Sequence, residues 1–138
     1  MSEEDYDFDV PDTVARMDFD LRNNADWRQP FKVNNYDPNS FAATPFDLTG
    51  ATLRMQWRDP ATQAVAFELS TVNGRLVVTD AVNGFFVTAA KAADLFAIPA
   101  GFYQSDLVVI KPDSTVELAM IANINLSQGD TVPAIPPF

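Results

Sequence analysis

The chain has 138 residues, 47% of them hydrophobic, which suits one domain with a real core plus terminal tails. It has no cysteine and no histidine, so a disulfide framework, thiolate metal sites and Ser-His-Asp or Cys-His catalysis are excluded. The net charge is −10 and the nine basic residues are scattered, which is the wrong electrostatic footprint for DNA or RNA. No run approaches the roughly 18 apolar residues of a membrane span. The start, Met1-Ser2-Glu3-Glu4-Asp5, is acidic where a secretion signal is basic, so synthesis and assembly in a reducing cytoplasm are expected.

Residues 1–12 read as an acidic arm in which Asp5, Asp7 and Asp9 alternate with Tyr6, Phe8 and Val10 before Pro11. Two readings stay open: a disordered leader, or a strand-like arm whose Tyr6, Phe8 and Val10 face adds to a neighbouring subunit. A calcium loop fails, because Val10 stands where glycine is needed and Arg16 where a bidentate acid is needed. Residues 16–22 predict a strand with Met17, Phe19 and Leu21 inward, and residues 23–26 turn the chain. Residues 27–33 predict a weaker strand burying Trp27, Phe31 and Val33, confined to a sheet edge by Pro30. Residues 34–45 read as a loop rich in Asn, Asp and Pro. Within or beside it, Tyr36, Phe41 and Phe46 either pin the loop to the body or, with Trp27, offer a stacking platform for a ligand.

The stretch at residues 47–58 opens on a turn signal at Gly50 and then becomes the clearest half-buried strand, with Leu53, Met55 and Trp57 on one face and Thr52, Arg54, Gln56 and Arg58 on the other. Val65, Phe67 and Leu69 predict a further inward row. Asn73-Gly74 and Asn83-Gly84 are hairpin signals that need positive φ. Residues 89–98 are the one helical piece, with Thr88 as its expected cap and Pro99 as its bound. A long strand follows at residues 101–110, with Tyr103, Leu107 and Val109 inward. The last strand is expected to bury Val116, Leu118, Met120, Ala122, Ile124 and Leu126 in one row. From Gly129 the chain becomes Pro-rich and is expected to be extended. Seven or eight short strands at this spacing predict an all-β sandwich or barrel.

Catalysis finds little support. A carboxylate pair such as Asp106 and Glu117 would serve a glycosidase, but both are expected on the solvent face, where acids protect strands from aggregation. No phosphate-cradling glycine loop is present. The expectation is therefore that the protein is not an enzyme and binds no cofactor or metal.

Taken in order, residues 47–58, Phe67-Glu68-Leu69-Ser70-Thr71, Asn73-Gly74, Asn83-Gly84, residues 100–107 and the final strand resemble a family of small tailed-bacteriophage proteins. The similarity is to the N-terminal, immunoglobulin-like domain of phage baseplate upper proteins, over about residues 16–128. The resemblance implies an immunoglobulin-like antiparallel β-sandwich, taken as residues 15–128 with one short helix; the acidic arm at residues 1–14 and the proline-rich tail at residues 129–138 are read from composition and lie outside the matched region. It implies a virion structural protein of the tail or baseplate that contacts other virion proteins and copies of itself, with no nucleic acid and no membrane. Tyr6, Phe8, Val10, Ile135 and Phe138 are the expected assembly contacts. The alternatives are a capsid decoration protein and a receptor- or carbohydrate-binding module.

Overall fold

A computed structural model of the protein describes residues 6–10, 15–37 and 42–132. The alternating stretches form strands: β1 (Tyr6–Val10), β2 (Ala15–Arg22), β3 (Pro30–Asp37), β4 (Ala42–Pro45), β5 (Thr52–Arg58), β6 (Val65–Ser70), β7 (Leu76–Asp80), β8 (Phe85–Thr88), β9 (Gly101–Ile110) and β10 (Val116–Ser127). One helical turn, α1 (Ala92–Leu95), lies between β8 and β9. They build two sheets, ordered β1-β3-β8-β7, with β4 also on β3, and β2-β10-β9-β5-β6. The fold is thus a β-sandwich, and the barrel alternative falls away. Lettered as in immunoglobulin domains, the first sheet reads A-B-E-D and the second A′-G-F-C-C′.

Two immunoglobulin hallmarks survive without a disulfide. Trp57, on the strand corresponding to C, is fully buried. Its ring meets Trp27 at 5.8 Å, Phe67 at 5.1 Å and Tyr103 at 6.1 Å. Tyr103, near the start of β9, donates its hydroxyl to the Pro99 carbonyl at 2.6 Å, the tyrosine corner of such sandwiches. Two residues on, where antibody domains place a bridging cysteine, this chain has Ser105, buried directly opposite Trp57. Where antibody domains carry a covalent staple, this core carries packed aromatic rings.

Several local expectations are corrected. The sandwich is not wholly antiparallel: β1 runs parallel to β3, and β2 parallel to β10. Pro30 does not mark an edge, since β3 lies between β1 and β8; it is the first residue of its strand, where no ladder N–H is lost. Residues 34–45 are not simply a loop, because Asn34 to Asp37 pair with β4. Asn83-Gly84 does join an antiparallel pair, β7 and β8. Asn73-Gly74 does not make a hairpin, because β6 and β7 belong to different sheets. Asn73 instead folds a corner: its Oδ1 accepts from the N–H groups of Ser70 and Arg75, both at 3.0 Å, and its amide donates to the Glu68 carbonyl.

Thr88 does not cap the helix. Its buried hydroxyl accepts from Gln29 N–H at 2.8 Å and donates to the Trp27 carbonyl at 3.0 Å, tying the end of β8 to the segment that enters its neighbour β3. The Asp26 carboxylate, distant in sequence, accepts from Ala92 N–H at 2.7 Å instead. Val65 faces solvent, as the β5–β6 register shifts beside it. Val116 and Leu118 also face out, because a bulge between Leu118 and Met120 changes the phase of β10.

Candidate interaction surfaces

The end of the sandwich where β2 and β10 finish is organised by Asn23. This residue is wholly buried. Its amide donates to the Ile98 carbonyl at 3.3 Å and to Gln128 Oε1 at 3.1 Å, and its Oδ1 accepts from Gly129 N–H at 2.9 Å. Next to it, Asn24 donates to the Thr131 carbonyl at 3.1 Å. The turn read at residues 23–26 is therefore also a latch that fixes where the C-terminal segment leaves the body. β1 begins at the same end, since Tyr6 pairs with Phe31 near the start of β3. Asn23→Ala should cost about 1–3 kcal/mol, because it strands buried polar partners. Urea denaturation would read that loss, and amide exchange at Gly129 should accelerate in the same variant.

The outer face of the second sheet divides into two halves. One half is polar: Asn123 donates to Asp18 at 2.8 Å, Asn125 to Asp20 at 3.3 Å, and Gln56 and Arg54 both donate to Glu68 Oε1. The other half carries Val108, Ile110, Val116, Leu118 and Ile121, bordered by Arg54 opposite Val108 and by Asp106 opposite Ile121. At the side of the sandwich, an open apolar groove of about 360 Å³ runs between Leu48, Ala51, Leu76, Val78 and Ala81.

Hydrogen bonding perturbs several acids. Those from Gln56 and then Arg54 hold Glu68 below the usual glutamate range, while Thr49 and Thr115 do the same for Asp47 and Asp113. Burial pushes Tyr103 up, helped by Asp59. A carboxyl lowered in the folded state stabilises fully above its unfolded pKa, and that contribution disappears as pH falls through the folded value. The melting temperature should therefore drop below about pH 4, and Glu68→Gln should make that drop shallower.

The candidate residues separate on this scaffold. Trp27 is 1% exposed and packs in the core, so it cannot serve as a stacking platform. Phe46 is buried as a pin. Phe41, Ile135 and Phe138 lie outside the described residues, and for Tyr6, Phe8, Val10 and Tyr36 the structure describes the backbone pairing alone. Asp106 is exposed opposite Ile121, whereas Glu117 pairs with core-facing Val109 and meets Lys111 at 3.0 Å. The expectation that both acids share the solvent face is thus corrected, and a pair on opposite faces cannot act across one substrate. Sequence reasoning missed Asn23 and the tyrosine corner. A Trp on one strand with a later Tyr-x-small-residue pair is the signal that would have found the corner.

Fold and surface together define an all-β, immunoglobulin-like sandwich with a self-bonded polar half-face and an aliphatic half-face. No family model and no curated protein sequence matches the chain. Among solved structures it is similar to the N-terminal domain of phage TP901-1 ORF48, with a TM-score of 0.52 and 14% identity, across 92% of this chain and 99% of that one. At that identity the likeness is one of fold.

Proposed function

We propose that the chain is a structural component of a tailed-phage particle, placed in the tail or baseplate, where it joins other virion proteins and copies of itself by surface contact rather than catalysis. The observation that carries this reading is a fold shared, nearly end to end, with a domain of a phage protein. The resemblance of the strand and turn motifs to baseplate upper proteins supports the same placement. The architecture is also suited to joining: the Asn23 latch fixes where residues 130–132 leave the body, at the end where β1 begins. A short segment leaving one end of a rigid body can hold a neighbour weakly and still act strongly through effective concentration when many copies repeat the contact.

The test uses phage assembled in the host cytoplasm with a tagged chain lacking residues 133–138. The truncated protein should stay folded and soluble but fall out of purified particles, with label on the full chain found at the tail. Label on the head alone, or truncated protein incorporated at normal occupancy, would overturn the assignment.

A further inference from the structure

We infer that the aliphatic half-face of the second sheet receives residues 133–138 of a second copy of this chain, in a head-to-tail contact. The inference rests on the assembly role above and names the surface that would serve it. The β10 bulge supplies the first argument. Register places Val116 opposite Ile110 and Leu118 opposite Val108, then shifts so that Met120 lies opposite Leu107. Beyond the bulge Met120, Ala122 and Ile124 are buried, as unbroken alternation requires; before it Val116 and Leu118 are 58% and 40% exposed. A single extra residue has therefore turned two aliphatic side chains out of the core and set them beside Val108 and Ile110, with Ile121 adjoining. Bulges commonly re-aim side chains in this way, and a contiguous apolar patch on a small domain marks a contact surface.

The chemistry of the occupant supplies the second argument. Residues 131–138 contain no charged side chain and include Val132, Ile135 and Phe138 among Pro133, Pro136 and Pro137. Prolines cannot donate to a ladder, so such a segment suits a sheet face better than a sheet edge. Its restricted backbone also lowers the entropy lost on docking.

Reach makes the contact intermolecular. Val132 follows Thr131, which is held by Asn24 at the end where β10 finishes. Position 138 lies at most ~22 Å beyond Val132. Val116 lies at the far end of a twelve-residue strand, a span of ~36 Å. The segment therefore cannot lie across Val116 and Ile110 of its own chain. Patch and segment sit toward opposite ends, so the contact is heterologous and propagates from copy to copy.

Sedimentation equilibrium on the full chain, from about 10 µM to about 1 mM, tests this. The wild type should self-associate. Leu118→Asp and Phe138→Asp should each weaken association at least tenfold, with melting temperatures close to the wild type. Val116→Asp replaces Leu118→Asp if that variant unfolds. Mixing the two variants should restore a one-to-one complex, because one keeps an intact segment and the other an intact patch. A monomeric wild type across the whole range, an inert Phe138→Asp, or a mixture that fails to recover would overturn the proposal. None of these results touches incorporation into particles, which tests the assembly role separately.

Discussion

Gly84→Ala should destabilise the sandwich by about 3–5 kcal/mol, among the largest effects a single methyl group can have. Gly84 has φ of +78°, a conformation that costs an L-residue about 1–2 kcal/mol by itself. The larger part is steric. A Cβ there would run into the Val33 carbonyl oxygen and come within 2.9 Å of the Phe46 carbonyl oxygen, both backbone atoms that cannot rotate away. The crowding follows from the topology: Val33 donates to the Gly84 carbonyl and accepts from Phe46 N–H, so three backbone segments converge at one point. Gly74 is the control. Its φ is +79°, yet a Cβ there meets nothing within 4 Å. Gly74→Ala should therefore cost only about 1–2 kcal/mol. Equal losses for the two variants in urea denaturation would refute the steric account.

Trp57→Ala should cost a similar 3–5 kcal/mol. It removes the ring on which Trp27, Phe67 and Tyr103 converge, at a position with no exposure. Trp57→Phe should be far milder, about 1–2 kcal/mol. It keeps an aromatic body and discards Nε1, which among the described residues is a buried donor with no hydrogen-bond partner. Thermal melting of both variants separates loss of volume from loss of the indole N–H.

Legibility in the sequence followed the range of the physics. Where one face of a strand turns inward along its whole length, alternation is a local signal: β5 and β2 sit where the alternation after Gly50 and that of residues 16–22 place them, with Leu53, Met55 and Trp57 inward. Non-local information was invisible. Asn73-Gly74 announces a reversal of direction but cannot say whether the next strand pairs in the same sheet or crosses to the other. Thr88 looks like a cap until Trp27 and Gln29 claim its hydroxyl. Asn23 reads as an ordinary turn residue because its partners lie 75 to 106 positions away. The bulge before Met120 was hidden for another reason: Val116 and Leu118 continue the apolar period perfectly, and only the pairing with β9 shows that the phase has changed. The outward Val116 and Leu118 thus lay in plain view as a run of hydrophobic letters, assigned to the wrong side of the sheet.

The position of β10 governs when the second sheet can close. It lies between β2 and β9, so until residue 127 has been synthesised the second layer is split, with β2 lacking any neighbour in it. Closure therefore waits for the last strand of the sandwich and must bring together segments about a hundred residues apart, the kind of long-range pairing that folds slowly. A chain cut short before β10 would consequently leave the second sheet open, with β2 unpaired in it and the core of that layer exposed.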